Sequence, residues 1–186
     1  MPPSLRPALF VDRDGTLMPD LHYLGDADRV EVYRGVAEAL ALAHAHGLDI
    51  VCVTNQSGVE RGLYTPDQVD RVHRALAERI AAAGGVLDAV YYCPHLPETG
   101  CRCRKPGTLL FERARDERGI DLRRSAIVGD RWLDVAAGHR LGMLTATVPP
   151  IGHRAEILAE IAEHGESPEI LADTFRAAVF RILARG

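Results

Sequence analysis

A short apolar run that ends in two aspartates constrains the fold of this chain more than any other feature. Residues Ala8–Val11 are bulky and apolar and are bounded by polar residues, which is typical of a buried strand in a parallel sheet. Asp12 and Asp14 follow one residue apart, and Gly15 then allows the backbone to turn sharply. Ligands of open α/β sheets bind at the carboxyl ends of strands, so both carboxylates are predicted to lie at the mouth of a crevice.

These two carboxylates are predicted to hold a cation. Two carboxylates this close repel one another, and a bound Mg²⁺ relieves that repulsion while suiting carboxylate oxygens. The alternative is a plain turn after a strand, because Asp and Gly are common turn residues. The choice between the two depends on whether chemically matched residues follow the other strands.

Polar residues also follow the second predicted strand. The apolar segment Leu48–Val53 precedes Thr54 and the turn Asn55–Gly58. A hydroxyl at a strand end, together with the backbone N–H groups of a Gly-containing turn, can donate hydrogen bonds to phosphate oxygens. The alternative is an ordinary polar turn, since Asn, Ser and Gly favour turns.

The flanking segments show helical periodicity. Gly35–Ala45 is predicted to be a helix, with Gly47 as its stop signal. A second helix is predicted over Pro66–Ala83, with Thr65 as its N-cap and proline at the first helical position. On that helix His73 is interpreted as a surface residue.

Three of the four cysteines lie in one loop after a further predicted strand, Ala89–Tyr92. In this loop the pattern C-x-H-x5-C-x-C brings together Cys93, His95, Cys101 and Cys103. Three thiols and one imidazole form a closed set, typical of a structural tetrahedral zinc site, and chance clustering is the alternative. In a cytosolic protein such thiols indicate metal binding rather than disulfides. Cys52 lies within an apolar strand and is interpreted as a small core residue.

Arg104 and Lys105 join this loop to a helix predicted over Gly107–Arg118. Three thiolates, a neutral imidazole and Zn²⁺ sum to a charge of about −1, which neighbouring basic residues such as Arg102 can offset. We expect the zinc to rigidify the loop that presents Arg104 and Lys105. The alternative for this basic pair is solvated surface.

The last informative strand, starting at Ser125, ends at Asp130, which in the plainer interpretation only caps the following helix. Met143–Val148 is predicted to be a short strand that closes the sheet. Ile151–Gly165 and Ser167–Arg185 are predicted to be two terminal helices, the second with Ser167 as its cap.

Four motifs in this order resemble those of the haloacid dehalogenase (HAD) superfamily of phosphotransferases. They are Asp12–Leu17 for the DxDGT motif, Thr54 for the second, Lys105 for the third, and Asp130 with Asp134 for the fourth. The resemblance covers most of the chain from Ala8 to Pro149. It implies an α/β, Rossmann-like HAD fold, in which a central parallel sheet carries helices on both faces. No long insertion follows either of the first two strands, so no large cap domain is expected.

The resemblance also implies roles for individual residues. The catalytic set is expected to be Asp12, Asp14, Thr54 and Lys105, with Asp12 as nucleophile and Asp14 as general acid and base. Magnesium is expected on Asp12, the backbone carbonyl of Asp14 and Asp130, with Asp134 behind them. Substrate contacts are expected from Asp20, His22, Tyr23, Asn55, Gln56, Ser57, Arg104 and Arg131.

Within the superfamily, the zinc loop is similar to two groups of enzymes. The segment Thr54–Val59, followed by Arg61–Gly62, resembles the D-glycero-D-manno-heptose-1,7-bisphosphate 7-phosphatases, as does Tyr23–Leu24. The short spacing from His95 to Cys101 resembles the histidinol-phosphate phosphatases instead. The resemblance therefore implies Mg²⁺-dependent removal of a sugar C7 phosphate through an aspartyl-phosphate, with histidinol phosphate as the alternative substrate.

The length of 186 residues predicts a single domain, with its core over residues 8–149 and C-terminal helices over 151–186. A formal net charge of −4 gives no reason to expect a nucleic-acid partner, which also disfavours a nucleic-acid 3′-phosphatase. No apolar run is long enough for a membrane span, and Met1–Pro7 lacks the apolar core of a signal peptide.

The chain is therefore expected to be a cytoplasmic monomer that acts on a small phosphorylated substrate. A phosphopeptide- or nucleotide-binding module with an inactive site is disfavoured, because every required catalytic side chain is present. A zinc-organised binding module without catalysis is the remaining alternative, and it predicts no Mg²⁺-dependent phosphate release.

Overall fold

A computed structural model describes residues 5–185, and its six strands form one parallel sheet in the order β3-β2-β1-β4-β5-β6. The strands are β1 (Ala8–Val11), β2 (Asp49–Asn55), β3 (Ala89–Cys93), β4 (Ala126–Gly129), β5 (Leu144–Thr147) and β6 (Ile170–Leu171). The helices are α1 (Val36–Ala45), α2 (Pro66–Ala82), α3 (Leu109–Arg118), α4 (Trp132–Leu141), α5 (Arg154–Glu163) and α6 (Phe175–Leu183). The predicted parallel sheet with helices is confirmed.

Two apolar clusters cover the two faces of the sheet. Side chains alternate between faces along a strand, so Leu9 and Val11 of β1 join one cluster while Ala8 and Phe10 join the other. The first cluster includes buried residues of α1, α2 and α6, and the second includes buried residues of α3. Burial on both faces explains why the strands are continuous apolar runs.

The connections that leave the carboxyl ends of the first two strands carry little secondary structure. Between β1 and α1 the only element is the 3₁₀ turn Ala27–Arg29, and no helix or strand lies between β2 and α2. Thr65 starts α2 with the predicted capping box: its Oγ1 accepts from the backbone N–H of Gln68, whose side chain accepts from Thr65 N–H at 2.8 Å. Neither connection therefore contains the helices or the sheet that a large cap domain would need.

The structure corrects the prediction for the C-terminal part. The segment Met143–Val148 does not close the sheet, because β6 lies beyond β5 and pairs with it. The helix predicted from Ser167 begins only at Phe175, and Thr174 caps it by accepting from the N–H of Ala177 at 3.1 Å. A two-residue strand has no periodicity that a sequence can reveal.

The side chain of Glu169 explains why this segment is extended. Its Oε2 accepts from both the N–H of Thr145 (2.8 Å) and its hydroxyl (2.6 Å), which ties the chain to the edge of the sheet. Ile170 and Ala172 are then almost completely buried. This anchoring is a long-range effect that local helix propensity does not register.

Two sequence-based expectations concern the ends of the chain and the membrane. Met1–Ser4, part of the segment interpreted as lacking a signal peptide, lies outside the described residues, as does Gly186. Among residues 5–185, the longest and most apolar helices are still too short or too polar to cross a membrane.

His139 of α4 offers a test of how the last strand is held. Burial opposes protonation of His139, but hydrogen bonds with Glu166 (2.6 Å) and Glu169 (3.0 Å) raise its pKa above the ordinary value. Its stabilising effect is thus complete below the unfolded pKa of about 6.5 and is lost as pH rises through the folded-state pKa. We expect His139→Gln to lower Tm more at about pH 6 than at about pH 9. An equal or larger loss at the higher pH, measured by thermal unfolding, would contradict this account.

Candidate active site

A cavity of about 360 Å³ opens at the carboxyl ends of β1, β2 and β4. All side chains that we predicted as catalytic, magnesium-binding or substrate-contacting line this cavity. Three further residues line the cavity, which we had not predicted for any of these three roles: Tyr64, Leu133 and Asp134. Parallel strands bring these residues together because their carboxyl ends meet at one edge of the sheet.

Lys105 lies at the floor of the cavity as a buried cation. Its Nζ is 2.8 Å from Asp12 Oδ1 and 2.6 Å from Asp134 Oδ1, and it donates to the carbonyl of Val53 at 2.7 Å. Burial lowers the pKa of Lys105, but the two carboxylates outweigh burial and raise it above the usual range. Lys105 is therefore a fixed positive charge beside Asp12.

Asp130 has a buried carboxylate oxygen, Oδ1, without a hydrogen-bond partner among the described residues. Burial, followed by the charge of Asp12, raises the pKa of Asp130 to about 8. Oxygens of Asp12, Asp130 and Asp134 lie within 4.8 Å of one another. A divalent cation would satisfy the orphaned oxygen and remove the repulsion, so Asp12 and Asp130 fit a Mg²⁺ site, with Asp134 beside them and paired with Lys105. Position 15 must be a glycine, because a Cβ on this residue would lie 2.3 Å from Asp130 Oδ2.

The buried guanidinium of Arg13, which we did not predict as a site residue, donates to both carboxylate oxygens of Asp14. Arg13 Nε donates to Asp14 Oδ1 at 3.1 Å and Nη2 donates to Oδ2 at 2.9 Å, while the Gln56 amide donates to Oδ2 at 2.8 Å. Burial raises the pKa of Asp14, and the charge of Arg13 opposes that rise. The signal in the sequence was a charged residue at the end of a buried strand, where it needs a partner.

His73 is not a surface residue, and this prediction was wrong. It is buried on α2, its Nε2 lies 3.2 Å from Arg13 Nη1, and its ring packs edge-on against Tyr92. Burial, followed by the charge of Arg13, lowers the pKa of His73 to about 3. Helical spacing could have shown this, because position 73 falls four residues after Val69 and three before Leu76 on the apolar face.

The turn after β2 uses most of its side chains to build the site. Asn55 Oδ1 accepts from the N–H of Lys105 at 3.0 Å, and Asn55 Nδ2 donates to the carbonyl of the same residue at 3.3 Å. The Gln56 amide also donates to Thr54 Oγ1 at 2.9 Å. Asn55 and Gln56, which we predicted as substrate contacts, thus line the cavity while their amides bond within the protein.

Tyr64 is a second residue that the sequence analysis missed. Its hydroxyl donates to Gln56 Oε1 at 2.8 Å, and its ring packs tightly between two glycines. A Cβ at Gly25 would lie 2.7 Å from Tyr64 Cβ, and a Cβ at Gly58 would lie 2.3 Å from Tyr64 Cζ. Tyr64 therefore joins the loops that follow β1 and β2.

The remaining predicted substrate contacts surround the mouth of the cavity. Asp20 Oδ1 accepts from the N–H of His22 at 3.0 Å, and both His22 (φ +47°) and Tyr23 (φ +63°) adopt left-handed backbone conformations. Arg131 donates to Glu160 at 3.1 Å, and Arg104 donates to the carbonyl of His95 at 3.2 Å. The mouth of the cavity thus carries charged groups of both signs, from Asp20, Arg104 and Arg131.

The predicted zinc ligands converge in the loop after β3. Sulfur–sulfur distances are 3.1 Å for Cys93–Cys103 and 3.5 Å for Cys93–Cys101, and His95 Nδ1 lies 3.2 Å from Cys103 Sγ. One donor atom from each of the four residues lies within 4.8 Å of the others, and none of the thiols is in a disulfide. Three thiols and one imidazole around a common point fit a structural Zn²⁺ site.

Removal of this zinc is expected to destabilise the protein. We expect one Zn²⁺ per chain, and we expect Cys103→Ser to lose it and to lower Tm by about 6–12 °C, which corresponds to about 3 kcal/mol. Metal analysis and thermal unfolding measure both effects. Cys52→Ala is the control, because Cys52 packs on the other face of the sheet from Cys93 and Cys103, and its variant should keep the zinc. A wild-type protein that contains no zinc would contradict the assignment.

Comparisons with known proteins find relatives in both sequence and fold. A family model described as HAD-hydrolase-like matches residues 102–178, a stretch that contains Lys105 and Asp130. The D-glycero-beta-D-manno-heptose-1,7-bisphosphate 7-phosphatase of Vibrio cholerae is 36% identical over 167 residues, covering 84% of this chain and 90% of that protein. The D-glycero-D-manno-heptose-1,7-bisphosphate 7-phosphatase of Thermosynechococcus vestitus is 35% identical over 185 residues, 94% of each chain.

A solved structure extends these similarities. The D,D-heptose 1,7-bisphosphate phosphatase from B. bronchiseptica, in a crystal structure complexed with magnesium and phosphate, superposes with a TM-score of 0.82 at 28% identity. The match covers 96% of this chain and 99% of that one. The similarity therefore extends over almost the whole described chain.

Proposed function

Because the chain belongs to the HAD-like family of heptose bisphosphate phosphatases, we propose that it is a Mg²⁺-dependent phosphatase removing the C7 phosphate of D-glycero-D-manno-heptose 1,7-bisphosphate. The observation that carries this proposal is the pair of carboxylates in one cavity with different partners. Asp12 lies 2.8 Å from Lys105 Nζ, while Asp14 is held by Arg13. Two carboxylates in different environments suit two roles, a nucleophile and an acid–base group.

Asp12 is the proposed nucleophile. Its Oδ1 accepts from the N–H of Arg13 at 2.8 Å and from Lys105 Nζ, which leaves Oδ2 for attack. Attack of Oδ2 on phosphorus forms an aspartyl-phosphate and breaks the bond to the ester oxygen of the substrate. Hydrolysis is thereby divided into two easier displacements.

Asp14 is the proposed general acid and base. In the first displacement its carboxyl group donates a proton to the departing sugar oxygen. In the second, the resulting carboxylate takes a proton from the water that attacks the aspartyl-phosphate. The side chain of Asp14 is 22% exposed, which lets it reach the cavity while Arg13 holds it from the protein side.

Positive charge and hydrogen-bond donors stabilise the phosphoryl oxygens in this proposal. Lys105 supplies the fixed charge, and Thr54 Oγ1 with the backbone N–H groups of the following turn supply donors. Asp12, the backbone carbonyl of Asp14 and Asp130 would hold Mg²⁺, whose charge, when bound, offsets the repulsion between substrate and carboxylates. Arg104, at the wall of the cavity, is proposed to bind the second phosphate, since a guanidinium suits bidentate contacts.

Two related proposals concern the surroundings of the enzyme. We propose that it works as a monomer in the cytoplasm on a small phosphorylated sugar, without nucleic-acid or membrane partners. The net charge of −4 supports the absence of an electrostatic nucleic-acid surface. Size-exclusion chromatography with light scattering tests the oligomeric state.

The experiment that tests the function follows phosphorus by ³¹P NMR during Mg²⁺-dependent turnover of both anomers of the heptose 1,7-bisphosphate. We expect the C7 phosphate resonance to disappear while the C1 resonance persists. Histidinol phosphate is the competing substrate, because the short spacing from His95 to Cys101 favours it. A higher kcat/KM for histidinol phosphate would overturn the heptose assignment, and no release from any of the three would overturn both.

A further inference from the structure

The guanidinium of Arg13 is a buried charge behind the cavity. Arg13 is 1% exposed, so its N–H groups have no access to bulk water and each needs a partner in the protein. Nε and Nη2 each donate to the carboxylate of Asp14, and Nη2 also donates to Gln56 Oε1 at 2.9 Å. The remaining nitrogen, Nη1, lies 3.2 Å from His73 Nε2. His73 thus contacts the guanidinium on the nitrogen that does not touch Asp14.

The contact defines the state of His73. An arginine nitrogen can only donate, so Nε2 of His73 must accept, which requires a neutral imidazole with its proton on Nδ1. Burial and the charge of Arg13 keep this imidazole neutral by lowering its pKa to about 3. The ring is fixed by α2 and by its edge-on packing against Tyr92, with centroids 5.4 Å apart. His73 therefore offers Arg13 a rigid acceptor.

We propose that His73 is a positioning residue for Asp14 and acts through Arg13. A guanidinium is planar, so a fixed Nη1 also fixes the plane in which Nε and Nη2 meet the carboxylate. Helix α2 thereby sets the orientation of the Asp14 carboxyl group without touching the substrate. The inference rests on the proposed function, because it takes Asp14 to be the group that transfers the proton.

A displaced Asp14 would affect substrates unequally. A sugar oxygen departs as a strongly basic alkoxide unless it is protonated, so its release depends on a well-placed acid. A p-nitrophenolate is a much weaker base and departs without a proton. A misoriented Asp14 should therefore slow the hydrolysis of alkyl phosphates far more than that of p-nitrophenyl phosphate. A general structural defect would slow the hydrolysis of both.

The test compares two variants at one position. His73→Leu removes the acceptor, and His73→Gln places an amide oxygen near the position of Nε2. We expect His73→Leu to lower kcat/KM for the sugar phosphate by about 100-fold and for p-nitrophenyl phosphate by less than about threefold. His73→Gln should recover most of the loss. The ratio kcat/KM is the appropriate quantity because it excludes the later hydrolysis of the aspartyl-phosphate.

Two reference variants complete the experiment. Asp14→Asn should show the same selective loss, since it removes the acid itself. Val72→Ala makes a cavity next to His73 on the buried face of α2. It should lower Tm without changing kcat/KM for the sugar phosphate relative to kcat/KM for p-nitrophenyl phosphate. Imidazole ¹⁵N NMR, assigned by difference from His73→Gln, should show the neutral Nδ1–H tautomer.

The outcomes separate this inference from the proposed function. Equal losses on both substrates, no loss on either, or a protonated or Nε2–H imidazole would overturn the role of His73 and leave the phosphatase assignment standing. A wild-type protein that hydrolyses p-nitrophenyl phosphate but no alkyl phosphate would overturn the proposed function, and the inference with it.

Discussion

Asp12→Asn is expected to abolish turnover while the protein remains folded. The substitution removes the nucleophilic oxygen, and loss of a nucleophile costs about 10⁴–10⁶-fold in kcat in enzymes that use one. The amide oxygen can still accept from the N–H of Arg13 and from Lys105 Nζ, so the local structure is retained. Phosphate release and thermal unfolding, measured on the same preparation, check both parts of the prediction.

Asp20→Asn is the matched control for this substitution. Asp20 also lines the cavity, but its side chain is 47% exposed and it lies in the loop at the entrance. The same change from carboxylate to amide there should lower kcat/KM by about tenfold or less, the size of one exposed polar contact. Activity of Asp12→Asn near that of the wild type would refute the nucleophile assignment.

Lys105→Met is expected to have the second-largest effect, on both stability and activity. Removing one partner of a buried ion pair costs about 3–5 kcal/mol, because the other charge stays buried without compensation. Here Asp12 and Asp134 would both lose their cation, at 2.8 and 2.6 Å. The loss of a fixed charge beside the phosphoryl group should also lower kcat by about 10²–10³-fold. Urea unfolding and steady-state kinetics measure the two effects.

Arg102→Met provides the comparison for Lys105→Met. Arg102 lies in the same loop, but its side chain is 77% exposed and its ion pair with Glu112 spans 3.6 Å. Such a surface ion pair contributes little to the free energy of unfolding, so this variant should retain the stability and activity of the wild type. If Lys105→Met unfolded at the same urea concentration as Arg102→Met, the buried charge of Lys105 would not stabilise the folded protein.

The fold was predictable where local patterns reflect burial. Continuous apolar runs such as Ala8–Val11 indicated strands covered on both faces, and Thr65 with Pro66 marked the start of α2. Strand β6 was not predictable, because two residues have no period and Glu169 holds them by contacts 24 residues away. The predicted closing role of β5 failed for the same reason.

The site was predictable where residues of the right chemistry follow strand ends. Asp12, Thr54 and Asp130 were chosen in this way, and the parallel sheet gathers them around one cavity; their catalytic roles remain predictions. The layer behind them was not found, because the partners that bury Arg13, namely Gln56 and His73, lie 43 and 60 residues away in the sequence. Two local signals of this layer were present: a charged residue between two aspartates at the end of a buried strand, and the position of His73 on the apolar face of α2.

The central claim, that Asp12 receives the phosphoryl group, is tested most directly by the stereochemical course at phosphorus. A phosphorothioate substrate made chiral with oxygen isotopes is hydrolysed in water of a third isotope, and the configuration of the product is determined. Two in-line displacements, one by Asp12 and one by water, predict net retention of configuration. Net inversion would mean a single attack by water on the ester, and it would contradict the account.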